Sequence, residues 1–130
     1  MSIQSTFEIG MIGQDLALNH YLKNYFCLID QNFQYYHKGS QGRRGEIDLI
    51  FEKKHILHFV EVKARSNQKF GLAQMQISAT KLKTLYSAFQ YFILKHKQYA
   101  EYNMQFDVAV INNSEIEIIS NAYNFDGFSM

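Results

Sequence analysis

The sequence predicts a mixed α/β domain with the element order αβββαββ, in which one helix covers each face of a central sheet. Two segments carry apolar residues at the three- and four-residue steps of an amphipathic helix, and five others show the alternation typical of strands. The chain has 130 residues, is 47% hydrophobic and contains no proline-, serine- or charge-rich run. Residues 1–130 are therefore expected to form a single domain with a buried core.

Two segments are predicted to be helical. The first runs from about Ile9 to Phe26, and the second runs from Leu72 or Ala73 to about Lys97 without an interrupting glycine or proline. The apolar stripe of the second helix consists of Leu82, Leu85, Phe89, Phe92 and Ile93. Each stripe is expected to pack against the sheet.

Three of the predicted strands lie outside the centre of the chain. They are Cys27–Tyr36, Met104–Ile111 and Glu115–Ser120, and the last two are joined by a turn at Asn112–Ser114. After them, the segment Asn121–Met130 keeps the aromatic residues Tyr123, Phe125 and Phe128 for packing or self-association.

The central two strands are predicted to form a hairpin between Gly45 and Arg65. Ile47, Leu49 and Phe51 are apolar at every second position of the first strand, as are Ile56, Val60 and Val62 on one parity of the second. If Lys53-Lys54 is a two-residue turn, Glu52 pairs with His55, Asp48 faces Phe59 and Glu46 faces Glu61. A turn one residue longer would move one strand's polar set to the opposite face.

In the register with the Lys53-Lys54 turn, four charged residues share one face of the hairpin: Glu46, Asp48, Glu61 and Lys63. Asp48 and Glu61 are then diagonal neighbours, with Cβ atoms roughly 7–8 Å apart. Two carboxylates at this spacing suit a divalent cation such as Mg²⁺ or Mn²⁺, and the Val62 carbonyl could add an oxygen ligand. Lys63 supplies an ammonium for phosphodiester hydrolysis, while Glu46 is an accessory group. The alternative is a solvated face with cross-strand ion pairs.

Charge and cysteine content narrow the possible functions. The net charge is only +1, with 13 basic and 12 acidic residues, so a nucleic-acid surface would have to be local. The expected phosphate contacts are Arg43, Arg44, Arg65 and Lys69, which flank the hairpin. Cys27 is the sole cysteine and excludes an intramolecular disulfide. Without a signal peptide or a membrane-length apolar run, a cytoplasmic protein with no membrane partner is expected.

Several segments together resemble one known family. They are Gly45–Ile50, Phe59–Arg65, Gly13–Ala17 with Tyr21-Leu22, Phe106–Val108 and Asn121–Tyr123. These segments resemble the YraN family of small bacterial proteins, part of the restriction-endonuclease-like superfamily with the PD-(D/E)xK signature. The resemblance implies a restriction-endonuclease-like mixed central sheet flanked by helices, related to archaeal Holliday-junction resolvases. It also implies that Asp48 and Glu61 are metal ligands and that Lys63 is the catalytic lysine.

Two positions depart from the pattern that the resemblance implies. Ile47 replaces the proline of the superfamily signature, which is usual for this family. Gln14 stands where the family's first helix typically carries a glutamate, a further metal ligand, and a neutral amide contributes an oxygen without charge.

The predicted function is that of a Mg²⁺- or Mn²⁺-dependent endonuclease acting on DNA, with branched or recombination intermediates among the substrates. The alternative is a nucleic-acid-binding or interaction module with the same fold and little or no cleavage. Gln14 and the near-neutral net charge favour this alternative. A homodimer is expected, because two-fold partners suit symmetric junctions.

Overall fold

A computed structural model describes residues 6–36, 44–64 and 79–123. Two α-helices, five strands and a short 3-10 helix follow the order αβββαββ, as predicted. Their bounds are α1 Thr6–Lys23, β1 Cys27–Tyr36, β2 Arg44–Lys53, β3 Ile56–Ala64, α2 Ala79–Lys95, the 3-10 helix Lys97–Tyr99, β4 Asn103–Asn112 and β5 Glu115–Ile119. The fold is a mixed α/β architecture of the restriction-endonuclease-like class.

The five strands form one sheet in the order β1-β2-β3-β4-β5. β3 and β4 pair in parallel from Ile56 opposite Asn103 to Ala64 opposite Ile111, and the other neighbouring strands are antiparallel. Because a parallel pair needs a crossover connection, α2 lies between β3 and β4 in the chain. β3 is thereby central in the sheet and carries side chains into both layers.

A separate apolar core lies on each side of the sheet. The α2-side core contains Leu85, Phe89 and Phe92 of α2, with sheet residues that include Phe33, Ile50, Leu57, Phe59, Phe106 and Val108. The smaller α1-side core contains Ala17, Tyr21, Leu49, Phe51, Val60 and Ala109. Burial on both faces explains the uninterrupted apolar stretches at residues 49–51 of β2 and 108–111 of β4.

The first helix ends at Lys23, so its predicted end at Phe26 is wrong, as is its predicted start at Ile9. A Schellman motif ends it: the Phe26 N–H donates to the Tyr21 carbonyl and the Tyr25 N–H donates to the Leu22 carbonyl. Tyr25 has a left-handed φ of 68°, and the Phe26 ring packs on the Tyr21 ring at a centroid distance of 4.8 Å. The apolar period continues through Phe26 because that side chain returns to the same core.

Replacing Tyr25 with glycine should raise the free energy of unfolding by about 1 kcal/mol. Glycine adopts the left-handed conformation without the steric cost that a Cβ imposes. Little packing is lost, since Tyr25 is 86% exposed. Thermal and urea unfolding measure the change, and Tyr25→Ala, which keeps the Cβ, is the matched control. Equal stabilities of the glycine and alanine variants would contradict the assignment.

The other boundaries agree closely with prediction where the structure describes them. β1 matches exactly, β4 is one residue longer at each end, and β5 ends at Ile119 instead of Ser120. α2 ends at Lys95, two residues before its predicted end at Lys97. The predicted start of the second helix, the Leu82 side chain, Phe125 and Phe128 lie outside the described residues. Neither α1 nor α2, the α-helices of the described ranges, is long and apolar enough to cross a membrane.

Candidate active site

The hairpin turn is formed by Lys54 and His55, one position later than predicted. Both residues have a left-handed φ, 53° and 62°, which is typical of a type I′ turn. Lys53 therefore pairs with Ile56, Glu52 with Leu57 and Ile50 with Phe59. The predicted pairs of Glu52 with His55, Asp48 with Phe59 and Glu46 with Glu61 are wrong. The observed register is favoured because it places the buried Phe59 opposite the buried Ile50 instead of a carboxylate.

The corrected register still brings the predicted acidic residues together. Moving the turn by one position advances both strands equally, so the shift alone moves no side chain to the opposite face. The pairing extends to Leu49 with Val60, and the next positions along the strands are Asp48 and Glu61. Asp48 and Glu61 therefore lie at the same end of the hairpin, where the charge of Glu61 acts on Asp48.

β2 is irregular at Asp48. Leu49 and Phe51 pack in the α1-side core, whereas Ile47 packs in the α2-side core, so the predicted alternation of all three on one face is wrong. Opposite this point in β1, the pairing passes from Gln31 with Leu49 to Phe33 with Ile47, and Asn32 between them has a left-handed φ of 54°. This local change of face accompanies a side-chain contact between the strands: the Val62 N–H donates to Asp48 Oδ2 at 2.8 Å.

Helix α1 reaches the same end of the hairpin through Gln14. The Gln14 amide Nε2 donates to the main-chain oxygen of Asp48 at 3.4 Å. Gly13, the preceding residue, packs directly against the sheet: a Cβ there would lie at ordinary van der Waals distances of 3.4 Å from Ile111 Cγ1 and 3.6 Å from Val62 Cγ1. Gln14 of α1 therefore contacts the backbone of β2 at Asp48.

Glu61 projects from β3 toward the α2-side core, which contains Tyr35 and Tyr123. Its Oε1 accepts a hydrogen bond from the Tyr123 hydroxyl at 3.2 Å and lies 3.7 Å from the Lys63 ammonium nitrogen. The Lys63 side chain is 47% exposed, and the Glu61 side chain is 29% exposed. The site is therefore an open end of the hairpin with a buried tyrosine behind it.

The acidic residues perturb one another's environment. Burial raises the pKa of Asp48, the Val62 N–H opposes the rise, and the charges of Glu46 and Glu61 add to it more than Lys63 relieves it. Burial and the Glu61 charge raise the pKa of Tyr35 to about 12, and the same causes raise the pKa of Tyr123. Negative charge is concentrated at this end of β2 and β3.

The available donors at this end are carboxylates, carbonyls and an amide. Within the described ranges, no three His, Cys, Asp or Glu side chains form a ready-made metal-binding group. Of the predicted phosphate contacts, Arg43, Arg65 and Lys69 lie outside the described residues, and for Arg44 only the backbone in β2 is described.

The roles of Tyr35, Tyr123 and Asp107 near β3 were not predicted from the sequence, although Tyr123 and Asp107 lie in segments that carry the family resemblance. The charge of Glu61 raises the pKa of both Tyr35 and Tyr123. The alternation of Phe33 and Tyr35 along β1 indicated that Tyr35 would face the core. Asp107 lies on the α1 side of the sheet, 2% exposed, with Oδ2 2.9 Å from His58 Nδ1 and 2.7 Å from the Tyr21 hydroxyl. His58 is itself a buried, hydrogen-bonded core residue, 8% exposed.

Comparison with known proteins supports the resemblance read from the sequence. The model described as "Uncharacterised protein family UPF0102" matches residues 13–111, which include the whole hairpin. A UPF0102 protein of Thermodesulfovibrio yellowstonii is 33% identical over 116 residues, covering 89% of this chain and 96% of the relative. UPF0102 proteins of Legionella pneumophila and Clostridium tetani are each 34% identical, over 121 and 119 residues. Both alignments cover 92% of this chain, with 97% and 85% of the respective relatives. The chain belongs to the UPF0102 family, the YraN family that its hairpin and first helix resemble.

Proposed function

We propose that this protein is a metal-dependent endonuclease that hydrolyses DNA phosphodiester bonds, including those of branched repair or recombination intermediates. One arrangement supports this function best. At a single open end of the hairpin, the Val62 N–H holds Asp48, and Glu61 lies 3.7 Å from the Lys63 ammonium. Two carboxylates and a lysine at one exposed edge are the groups that phosphodiester hydrolysis requires.

The donor set fits a hard divalent cation such as Mg²⁺ or Mn²⁺. Such ions prefer oxygen ligands, and Asp48 and Glu61 provide carboxylates at the same end of the hairpin. In an extended strand the N–H and C=O of one residue point to the same side, so the Val62 carbonyl faces Asp48 together with its N–H. The Gln14 amide borders this position from α1. Burial and, to a smaller extent, the charges of Glu46 and Glu61 raise the pKa of Asp48, and a bound cation would offset the repulsion among these carboxylates.

Each residue then has a separate task. Asp48 and Glu61 would hold the cation, with Val62 and Gln14 as additional oxygen donors and Glu46 adding negative charge nearby. When bound, the cation would supply polarisation of the phosphate and a lower pKa for the attacking water. Lys63 is exposed enough to turn from Glu61 toward the water or the developing phosphorane charge. Arg43, Arg44, Arg65 and Lys69 are proposed to contact the DNA backbone, which gives affinity independent of sequence.

Replacing Lys63 or Asp48 with alanine should slow cleavage at least about 100-fold, because each removes a charge that acts on the transition state. Purified protein is incubated with linear, flapped and four-way DNA in Mg²⁺ or Mn²⁺, and products are resolved on gels. Lys83→Ala, which removes an exposed lysine from α2, is the control and should cleave like the wild type. Retained cleavage in both site variants would mean that the assigned site is wrong.

Gln14→Glu should tighten Mn²⁺ binding, since it adds a carboxylate beside the backbone of Asp48. Isothermal titration calorimetry on DNA-free protein gives the dissociation constant, which we expect to fall about tenfold. Asp15→Asn, on the adjacent exposed position of α1, is the control. An unchanged dissociation constant in Gln14→Glu would remove position 14 from the site.

A nucleic-acid-binding module without efficient cleavage is the second candidate. The neutral Gln14 at the Asp48 backbone favours it, because it leaves the site with one carboxylate fewer than the resemblance implies. Binding of four-way DNA by the wild type in Mg²⁺ without any cleavage would support this candidate against the first.

A further inference from the structure

Tyr123, a residue distant in the sequence, donates a hydrogen bond to Glu61 from the buried side of the site. Its hydroxyl donates to Glu61 Oε1 at 3.2 Å across a separation of 62 residues, and Tyr123 is 5% exposed. We propose that Tyr123 is a positioning residue that orients the Glu61 carboxylate for cation binding. This inference rests on the proposed function, and it extends the site to the segment that follows β5.

The segment carrying Tyr123 is fixed to β4 by its backbone. The Ala122 N–H donates to the Phe106 carbonyl at 2.7 Å, and the Asn121 N–H donates to Asp107 Oδ1 at 2.9 Å. The Tyr123 ring also packs edge-on against Phe106, with centroids 6.3 Å apart. These three contacts do not involve Glu61, so the Tyr123 hydroxyl is held in place independently of the carboxylate.

Tyr123 and Lys63 approach the same oxygen of Glu61 but differ in mobility. The tyrosine is buried, whereas the lysine side chain is 47% exposed. The Tyr123 phenol is fixed in the core and can donate to Glu61 throughout. The exposed Lys63 ammonium can move from Glu61 to the phosphate with little loss of free energy, because exposed ion pairs are weak. Tyr123 therefore keeps Glu61 oriented while Lys63 acts on the substrate. Hydrogen bonds that orient a metal ligand commonly change metal affinity by 10- to 100-fold.

The test compares Tyr123→Phe with the wild type by calorimetric titration of Mn²⁺ into DNA-free protein. We expect the dissociation constant to rise about tenfold while the melting temperature changes little. Tyr99→Phe, which removes the hydroxyl of another tyrosine of the α2-side core, is the control and should bind Mn²⁺ like the wild type. Equal affinities of Tyr123→Phe and the wild type would overturn the inference.

A double-mutant cycle with Glu61→Gln separates positioning from a general effect on folding. If Tyr123 acts through Glu61, then Glu61→Gln and the double variant should bind Mn²⁺ with the same affinity. Additive losses would overturn the inference even if Tyr123→Phe alone binds weakly. Wild-type Mn²⁺ binding that depends on Tyr123 but is accompanied by no cleavage of any DNA would sustain the inference and overturn the nuclease. No Mn²⁺ binding by the wild type would overturn both.

Discussion

Asp107→Ala should lower the free energy of unfolding by about 3–5 kcal/mol, the cost of breaking a buried charged network. The Asp107 carboxylate accepts hydrogen bonds from the Tyr21 hydroxyl, the Gln105 amide and the Asn121 N–H, and it lies 2.9 Å from His58 Nδ1. Alanine leaves these buried donors without their acceptor, each at a cost of about 1–3 kcal/mol. Urea unfolding monitored by circular dichroism measures the loss, and Asp15→Ala at an exposed position is the control. A loss below about 1 kcal/mol would contradict this role.

The contribution of Asp107 to the free energy of unfolding should decrease at acidic pH. Burial raises its pKa, but hydrogen bonds from His58, Asn121, Gln105 and Tyr21 lower it more, and the native pKa lies below the usual aspartate range. A depressed native pKa stabilises the fold above the unfolded pKa of about 3.9, and that stabilisation is lost as pH falls through the native value. The difference in stability between wild type and Asp107→Ala should therefore be constant near neutral pH and shrink below about pH 4. A difference that grew on acidification would contradict the sign.

Phe92→Ala should also lower the free energy of unfolding by about 3–5 kcal/mol, because it leaves a cavity in the α2-side core. Phe92 is completely buried, and its ring contacts Phe33 at 5.3 Å and Phe59 at 5.5 Å between centroids. The substitution removes contacts of α2 with both β1 and β3. Chemical denaturation measures the loss.

Leu94→Ala provides the matched control for Phe92→Ala. It lies two positions further along α2 and is 70% exposed. We expect it to change stability by less than about 0.5 kcal/mol. Comparable losses in both variants would mean that α2 does not present the Phe92 face to the sheet.

Periodic features of this fold were predictable, and local backbone conformations were not. The period of two predicted that Asp48, Glu61 and Lys63 lie at the same end of the hairpin, and a turn displaced by one position on both strands leaves Asp48 and Glu61 at that end. The turn itself was misplaced because neither Lys54 nor His55 is a residue that a left-handed φ favours. The end of α1 was misplaced for the same reason at Tyr25.

Contacts between distant segments were beyond sequence reasoning. Nothing local to Tyr123 indicates that its hydroxyl reaches Glu61, and nothing local to Asp107 indicates four partners. Both depend on the parallel pairing of β3 with β4, which one sequence does not specify. The irregularity at Asp48 is likewise a property of β1 and β2 together, because the left-handed Asn32 lies on the neighbouring strand.

The parallel pairing of β3 with β4 also sets an order of assembly. The β2–β3 hairpin joins neighbouring segments and can close within about 1–10 μs, whereas the β3–β4 pair must wait for the intervening chain and α2. Asp48 and Glu61 are therefore expected to meet early in folding, while Tyr123 arrives only after β4 and β5 have docked. We therefore expect the hairpin to bring the two carboxylates to one end before the Tyr123 hydroxyl, which donates to Glu61, is in place.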